Sequence, residues 1–155
     1  MLYYTGIGSR KTPDYALTAM WSIANSLASM GFILRSGGAK GADTAFEDGA
    51  NALDTDKEIY LPWKDFNNNK SMLILDDMIN KEIAYKIAYK YHPNWMACND
   101  TARAFHARNS YQVLGQDLNT PSSFVICWTP GNAVTGGTGQ ALRIAIDHNI
   151  PIMYL

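Results

Sequence analysis

Short apolar runs alternate with longer stretches in which apolar positions recur every three to four residues. LYYTGIG (2–8) reads as a strand that ends in glycines. Thr12, Pro13 and Asp14 then open a helix, with Thr as cap, Pro at the first helical position and an acid in the first turn. Ala16, Met20, Ile23, Ala24, Leu27 and Met30 follow at helical spacing, and Gly31 closes the element. FILRS (32–36) is a second strand. A helix over 41–53 carries small residues on its inner stripe, and KEIYLPW (57–63) is a third strand. After the polar loop DFNNNKS, the spacing predicts one helix over 72–91 and another over 99–115. SSFVICW (122–128) is continuously apolar, the pattern of a strand buried on both faces. A helix over 138–148 and a last strand, IPIMYL, complete the chain.

Strands that alternate with helices make parallel sheets covered on both sides. The expectation is a Rossmann-like, doubly wound α/β domain, with a mostly parallel five-stranded sheet and helices on both faces. A length of 155 residues suits one domain, spanning 1–155. With 47% apolar and 17% charged residues, the chain is globular rather than disordered. No apolar stretch is long enough for a membrane span, and MLYYTGIGSR lacks the features of a secretion signal, so a cytoplasmic location is expected. Cys98 and Cys127 stand apart from any metal-binding spacing, so no metal is called for, and no cofactor either. The net charge of −1 argues against a broad nucleic-acid-binding surface and leaves room for a local basic pocket.

Three glycine-bearing loops follow strands: TGIGSRK (5–11), SGGAKGAD (36–43) and TPGNAVTGGTGQ (129–140). In open α/β sheets the ligand crevice lies beyond the carboxyl ends of the strands. Side-chain-poor loops there let backbone approach a ligand, and the helix start just beyond offers free N–H groups to a phosphate. The alternative is that the glycines only make tight turns. Two phosphate motifs fail. Lys40 is followed by Gly41, so there is no Walker A sequence. Gly6 and Gly8 begin a dinucleotide fingerprint, but Lys11 occupies its last glycine position and Arg35 stands where a ribose-binding acid would be.

GIGSR (6–10), LRSGGAKGADTAFEDGA (34–50), HARN (106–109) and GGTGQALRIA (136–145) together resemble the SLOG superfamily. That superfamily groups the DNA-processing protein DprA with the cytokinin-activating LOG phosphoribohydrolases, and short single-domain members occur in phages. For a phage-encoded chain the location would be the host cytoplasm. The resemblance implies a Rossmann-like sheet that binds nucleotides or nucleic-acid phosphates through these loops. Gly8, Ser9 and Arg10 would hold one side of a ligand. Arg35, Ser36, Gly37, Gly38, Lys40, Gly41 and Asp43 would cradle a phosphate. Arg108 and Asn109 would close the site, and Gly136, Gly137, Thr138, Gly139 and Gln140 would take a second phosphate or the ribose. Three activities are known among such proteins: sensing a nucleotide signal, DprA-like binding of single-stranded DNA, and LOG-like hydrolysis of nucleoside 5′-monophosphates.

The hydrolytic motif PGGxGTxxE is incomplete here. In TGGTGQALR (135–143) Gln140 replaces the threonine and Arg143 the glutamate. Glu47 is the substitute acid if the chain is a hydrolase, although an acid near a helix start also simply complements the helix dipole. Arg10, Arg35, Lys40, Arg108 and Arg143 would make a compact basic pocket, better suited to a small phosphorylated ligand than to a long strand. The leading expectation is therefore binding of a small nucleotide-derived ligand, to sense or sequester it, without turnover. Trp63 and Trp128 lie just past strands, where they would either stack on a base or pack in the core. In IAYKIAYK (83–90) isoleucine, tyrosine and lysine stripes on one helix predict a homodimer or larger assembly.

Overall fold

The computed structural model of the chain describes residues 2–155. One sheet has the strand order β4-β3-β2-β1-β5-β6. The strands are β1 (Leu2–Gly8), β2 (Phe32–Ser36), β3 (Lys57–Leu61), β4 (Leu73–Ile74), β5 (Phe124–Trp128) and β6 (Ile152–Tyr154). Every neighbouring pair runs parallel. The helices are α1 (Asp14–Ser29), α2 (Ala42–Asn51), α3 (Lys81–Tyr91), α4 (Asp100–Leu114) and α5 (Gly136–Asp147). No helix among the described residues is long and apolar enough to cross a membrane.

The sheet has six strands, not five, and the stretch expected as one helix over 72–91 is divided. Leu73 and Ile74 pair with Tyr60 and Leu61 as an edge strand. Ser71 holds the strand there: its hydroxyl donates to Ile59 O (2.5 Å) and accepts from Leu73 N–H (3.2 Å). Leu75–Asp77 then form a 3-10 turn, and α3 begins only at Lys81.

Alternation along the strands feeds two cores. Tyr4, Leu34, Ile59, Leu61 and Ile126 face α1 and α2, against Met20, Ala24, Ala42, Phe46 and Ala50. Ile7, Val125 and Cys127 point the other way, onto α4 and α5. Tyr60 packs with α3 and α4 through Ala84, Ala88, Ala107 and Tyr111. Strands buried on both faces are expected of a parallel sheet.

The first glycines of the chain serve this packing. A Cβ on Gly6 would lie 2.6 Å from the Phe46 ring, and one on Gly8 would lie 2.5 Å from Ala42 Cβ. Their absence lets α2 settle on β1. Thr12 does not cap α1. Pro13 holds that position, and the Thr12 hydroxyl instead donates to Ser9 O (2.6 Å), closing the turn between β1 and α1. On α3, Ala84 and Ala88 are buried while Ile83 and Tyr89 are exposed.

Candidate functional site

The chain leaves β1 toward β2 on one side and later enters β5 on the other, so the strand order reverses between β1 and β5. Ligands of such sheets bind at that reversal, beyond the strand ends. A cleft of about 1190 Å³ opens there. Gly8, Ser9, Arg10 and Lys11 form the wall after β1, and Ala39, Lys40 and Gly41 the wall after β2. Pro130, Thr135, Gly136, Gly137 and Thr138 come from the segment after β5. The inner face of α4 contributes Phe105, His106, Arg108, Asn109 and Gln112.

Two stretches of this wall are poor in side chain and open. Gly136 sits at φ +65, Gly41 at φ +88, and a Cβ at either, or at Gly137, would meet nothing within 4 Å. Positive φ explains glycine at 41 and 136. Gly137 has no such requirement, so its missing side chain simply leaves space. The first N–H groups of a helix have no partner inside it. No side chain caps α5, so the amides of Gly136, Gly137 and Thr138 stand at the cleft with the positive end of a 12-residue helix dipole behind them.

The charges around these amides favour an anion. Arg10, Lys11 and Lys40 are exposed at the rim, and Arg108 lies beneath them, 4% exposed. Arg108 donates through Nη1 to Gly37 O and Tyr60 O and through Nε to Asn109 Oδ1. Burial draws its guanidinium down to about 10, opposed by the charge of Asp43. It therefore stays protonated at neutral pH. Of the two cleft acids, Asp65 pairs outward with Lys70 at 3.0 Å. Asp43 accepts the Ala39 amide at 3.1 Å; burial raises its pKa, and Arg108 pulls it back. Burial, then repulsion from His92 when protonated and from Arg143 and Arg108, push His106 down to about 4, so it is neutral near pH 7.

Several residues expected at the ligand are used by the protein itself. Arg35 is buried in an ion pair with Glu58 (3.0 Å), donates to Thr120 O (2.6 Å), and lies 3.9 Å over the Tyr3 ring. The Ser36 hydroxyl donates to Gly6 O (2.7 Å). Gly37 is bare because Arg108 and Gln112 fill the space beside it, and the Gly38 carbonyl accepts from Asn67 (3.1 Å). Gly139 packs against the Val134 backbone. Gln140 donates to Ala88 O (3.0 Å) and accepts from Arg143 (2.8 Å), which also donates to Tyr91 O (2.7 Å). These two side chains bind α5 to α3. Glu47 faces a separate hollow of about 380 Å³, where Asn69 donates to it (2.8 Å).

Phe66 and Phe105 were not expected at the site. Both line the cleft, with ring centroids 5.5 Å apart, and Trp63 packs edge-on behind them. The Arg108 guanidinium lies 5.8 and 5.5 Å from the two centroids. Trp63 thus supports an aromatic wall without forming it, and Trp128 donates its indole N–H to the Tyr15 hydroxyl outside the cleft. Phe66 is held by left-handed backbone at Asp65, Asn67 and Asn68, and Asn67 ties that loop to Gly38.

No family model matches the chain, and no curated protein matches it. Two solved structures share its architecture over 99% of its length. One is DNA processing protein A from Helicobacter pylori, described for its unique single-stranded DNA binding mode, at 22% identity and a TM-score of 0.63. The chain spans 64% of that protein's chain. The other is the Moco carrier protein of Chlamydomonas rheinhardtii, at 15% identity and a TM-score of 0.57, of which the chain covers 75%. At these identities the shared property is the fold: a DprA-like, Rossmann-like α/β domain.

Proposed function

We propose that the cleft binds a nucleotide-derived ligand by its phosphate and ribose and does not turn it over. The observation that carries this reading is the uncapped start of α5, bare at Gly136 and Gly137, facing a cleft rimmed by Arg10, Lys11 and Lys40. Amides and dipole would take the phosphate, and the rim cations would add charge-assisted bonds. Ser9 would meet the ribose, while the Asn109 side-chain amide, which donates to Gly137 O (3.0 Å) and accepts from Arg108, would brace the start of α5. Phe66 and Phe105 offer ring surface to a base, and stacking is indifferent to which base it is. Glycosidic hydrolysis needs a carboxylate beside the anchored phosphate. Glu47 is outside the cleft, and Asp43 is 7% exposed with one oxygen bonded to the Ala39 amide, which favours binding over catalysis.

Single-stranded DNA is the second reading. It is favoured by the likeness to DNA processing protein A and by a cleft larger than the several hundred Å³ usual for one small ligand. Thermal shift and calorimetry with AMP, ADP and ADP-ribose, beside anisotropy with labelled oligothymidine, separate the two. A free nucleotide that raises the melting temperature, with no base released, supports the first. Oligonucleotide binding that falls steeply with log salt, without a nucleotide response, supports the second. Failure of both sinks the assignment. Exposed Ile83 and Tyr89 leave apolar surface on α3 that a second copy would cover, so light scattering is expected to report a dimer mass.

A further inference from the structure

The hairpin formed by α3, the loop after it and α4 gathers three soft or borderline donors outside the phosphate-binding loops. His92 closes α3, Cys98 follows a 3-10 turn at Trp95–Ala97, and His106 lies on α4. One ligand atom from each lies within 4.8 Å of the others. Cys98 Sγ is 3.7 Å from His92 Nε2 and 3.8 Å from its Nδ1, and the two imidazole rings are 4.4 Å apart. A tetrahedral zinc with bonds of roughly 2.0–2.3 Å holds neighbouring donors about 3.3–3.8 Å apart. The histidine–cysteine pair already meets that spacing, and a contraction of the longest donor separation by about 1 Å completes it. Cys98 is not isolated, as its place in the sequence implied.

An independent feature points the same way. His106 is 9% exposed, and its Nδ1 is buried with no hydrogen-bond partner. Buried polar nitrogens are seldom left so, because the desolvation they suffer is not repaid. His92 Nδ1 accepts from the Asn94 amide (3.0 Å), and the Cys98 thiol lies near Asn94 O (3.6 Å). Asn94 is exposed, so water replaces those bonds at little cost if a metal takes the nitrogen and the sulfur.

From this geometry the structure assigns a divalent zinc-type site to His92, Cys98 and His106. Two imidazoles and one thiolate select a borderline-soft ion over magnesium or calcium, which take oxygen donors. Three protein donors leave a fourth position for water. His106 also belongs to the cleft wall, so the ion would sit against the cleft, although the assignment stands whether or not a nucleotide binds there.

The test is cobalt(II) titration of the reduced, full-length protein, followed by zinc(II) competition. The expected result is one equivalent of cobalt with visible bands of tetrahedral intensity and a thiolate-to-cobalt charge-transfer band, all displaced by zinc. Cys98→Ser, on a partly exposed turn, should abolish the charge-transfer band while the protein still melts cooperatively. His92→Ala should weaken cobalt binding at least about tenfold. Zinc should also slow alkylation of Cys98. The assignment is overturned if wild type shows no such band, if Cys98→Ser retains it, or if alkylation of Cys98 proceeds at one rate with and without zinc. A His106 variant that fails to fold changes none of these readouts.

Discussion

The loop after β2 and the loop after β5 are both rich in glycine, yet they differ in what their polar groups touch. After β2, Ser36 is bonded to Gly6, Gly37 to Arg108 and Gly38 to Asn67. Gly37 and Gly38 are glycines because protein occupies the space beside them; of this loop's glycines only Gly41 borders open cleft. After β5, the Gly137 carbonyl accepts from Asn109 (3.0 Å), but Gly136 and Gly137 border empty volume, and no side chain caps the amides of the helix they start. The start of the first loop is a joint of the scaffold, whereas the second leaves the amides of a helix start open to the cleft. A glycine-rich sequence is the same signal for both, and only the neighbours decide which it is.

The buried Arg35 gives the widest test of that contrast. Arg35→Met strands Glu58 without its partner and should cost about 3 kcal/mol, since removing one member of a buried ion pair leaves an uncompensated charge. Urea denaturation measures it, and nucleotide affinity of the folded fraction should be unchanged. Gly37→Ala should come next, at about 1–3 kcal/mol, because its methyl group would run into Arg108 and Gln112. Gly137→Ala should change stability by no more than about 0.5 kcal/mol, yet weaken nucleotide binding by intruding on the open space. If both alanines cost the same stability, the contrast fails.

Arg10→Ala sharpens the picture from the open side. The residue is exposed, so its loss should leave stability within about 0.5 kcal/mol. Nucleotide affinity measured by calorimetry should fall about tenfold, equivalent to about 1.4 kcal/mol.

Asp43 lies between the two regions, and its expected effect is one of direction with pH. Burial raises its pKa above the ordinary 3.8, so the folded state binds its proton more readily than the unfolded one. The stability this linkage adds is present in full below the unfolded pKa and is lost as pH rises through the folded pKa. The stability of wild type relative to Asp43→Asn should therefore be greatest in acid and level off at neutral pH, measured by denaturation at each pH.

Much of the architecture is legible in the chain because parallel strands demand unbroken apolar runs such as FVICW, and the helices show their period plainly. β4 is not legible: two residues set no period, and Leu73 to Leu75 also fit a helical stripe. The glycine loops do border one cleft, but Arg35, Ser36 and Gln140 donate to carbonyls of the protein itself, and a polar residue type does not reveal which internal carbonyl it will satisfy. Phe66 was missed because a single aromatic in an asparagine-rich loop has no periodic signal, and its position depends on left-handed turns at Asp65, Asn67 and Asn68. His92, Cys98 and His106 escaped because a turn, not a regular spacing, brings them together.

Amide-resolved nuclear magnetic resonance, titrated with a nucleoside monophosphate, tests the division of labour most directly. Saturable shifts are expected at the Gly136, Gly137 and Thr138 amides, with Gly37 and Gly38 nearly still. Shifts concentrated at Gly37 and Gly38, with the start of α5 silent, would contradict that division.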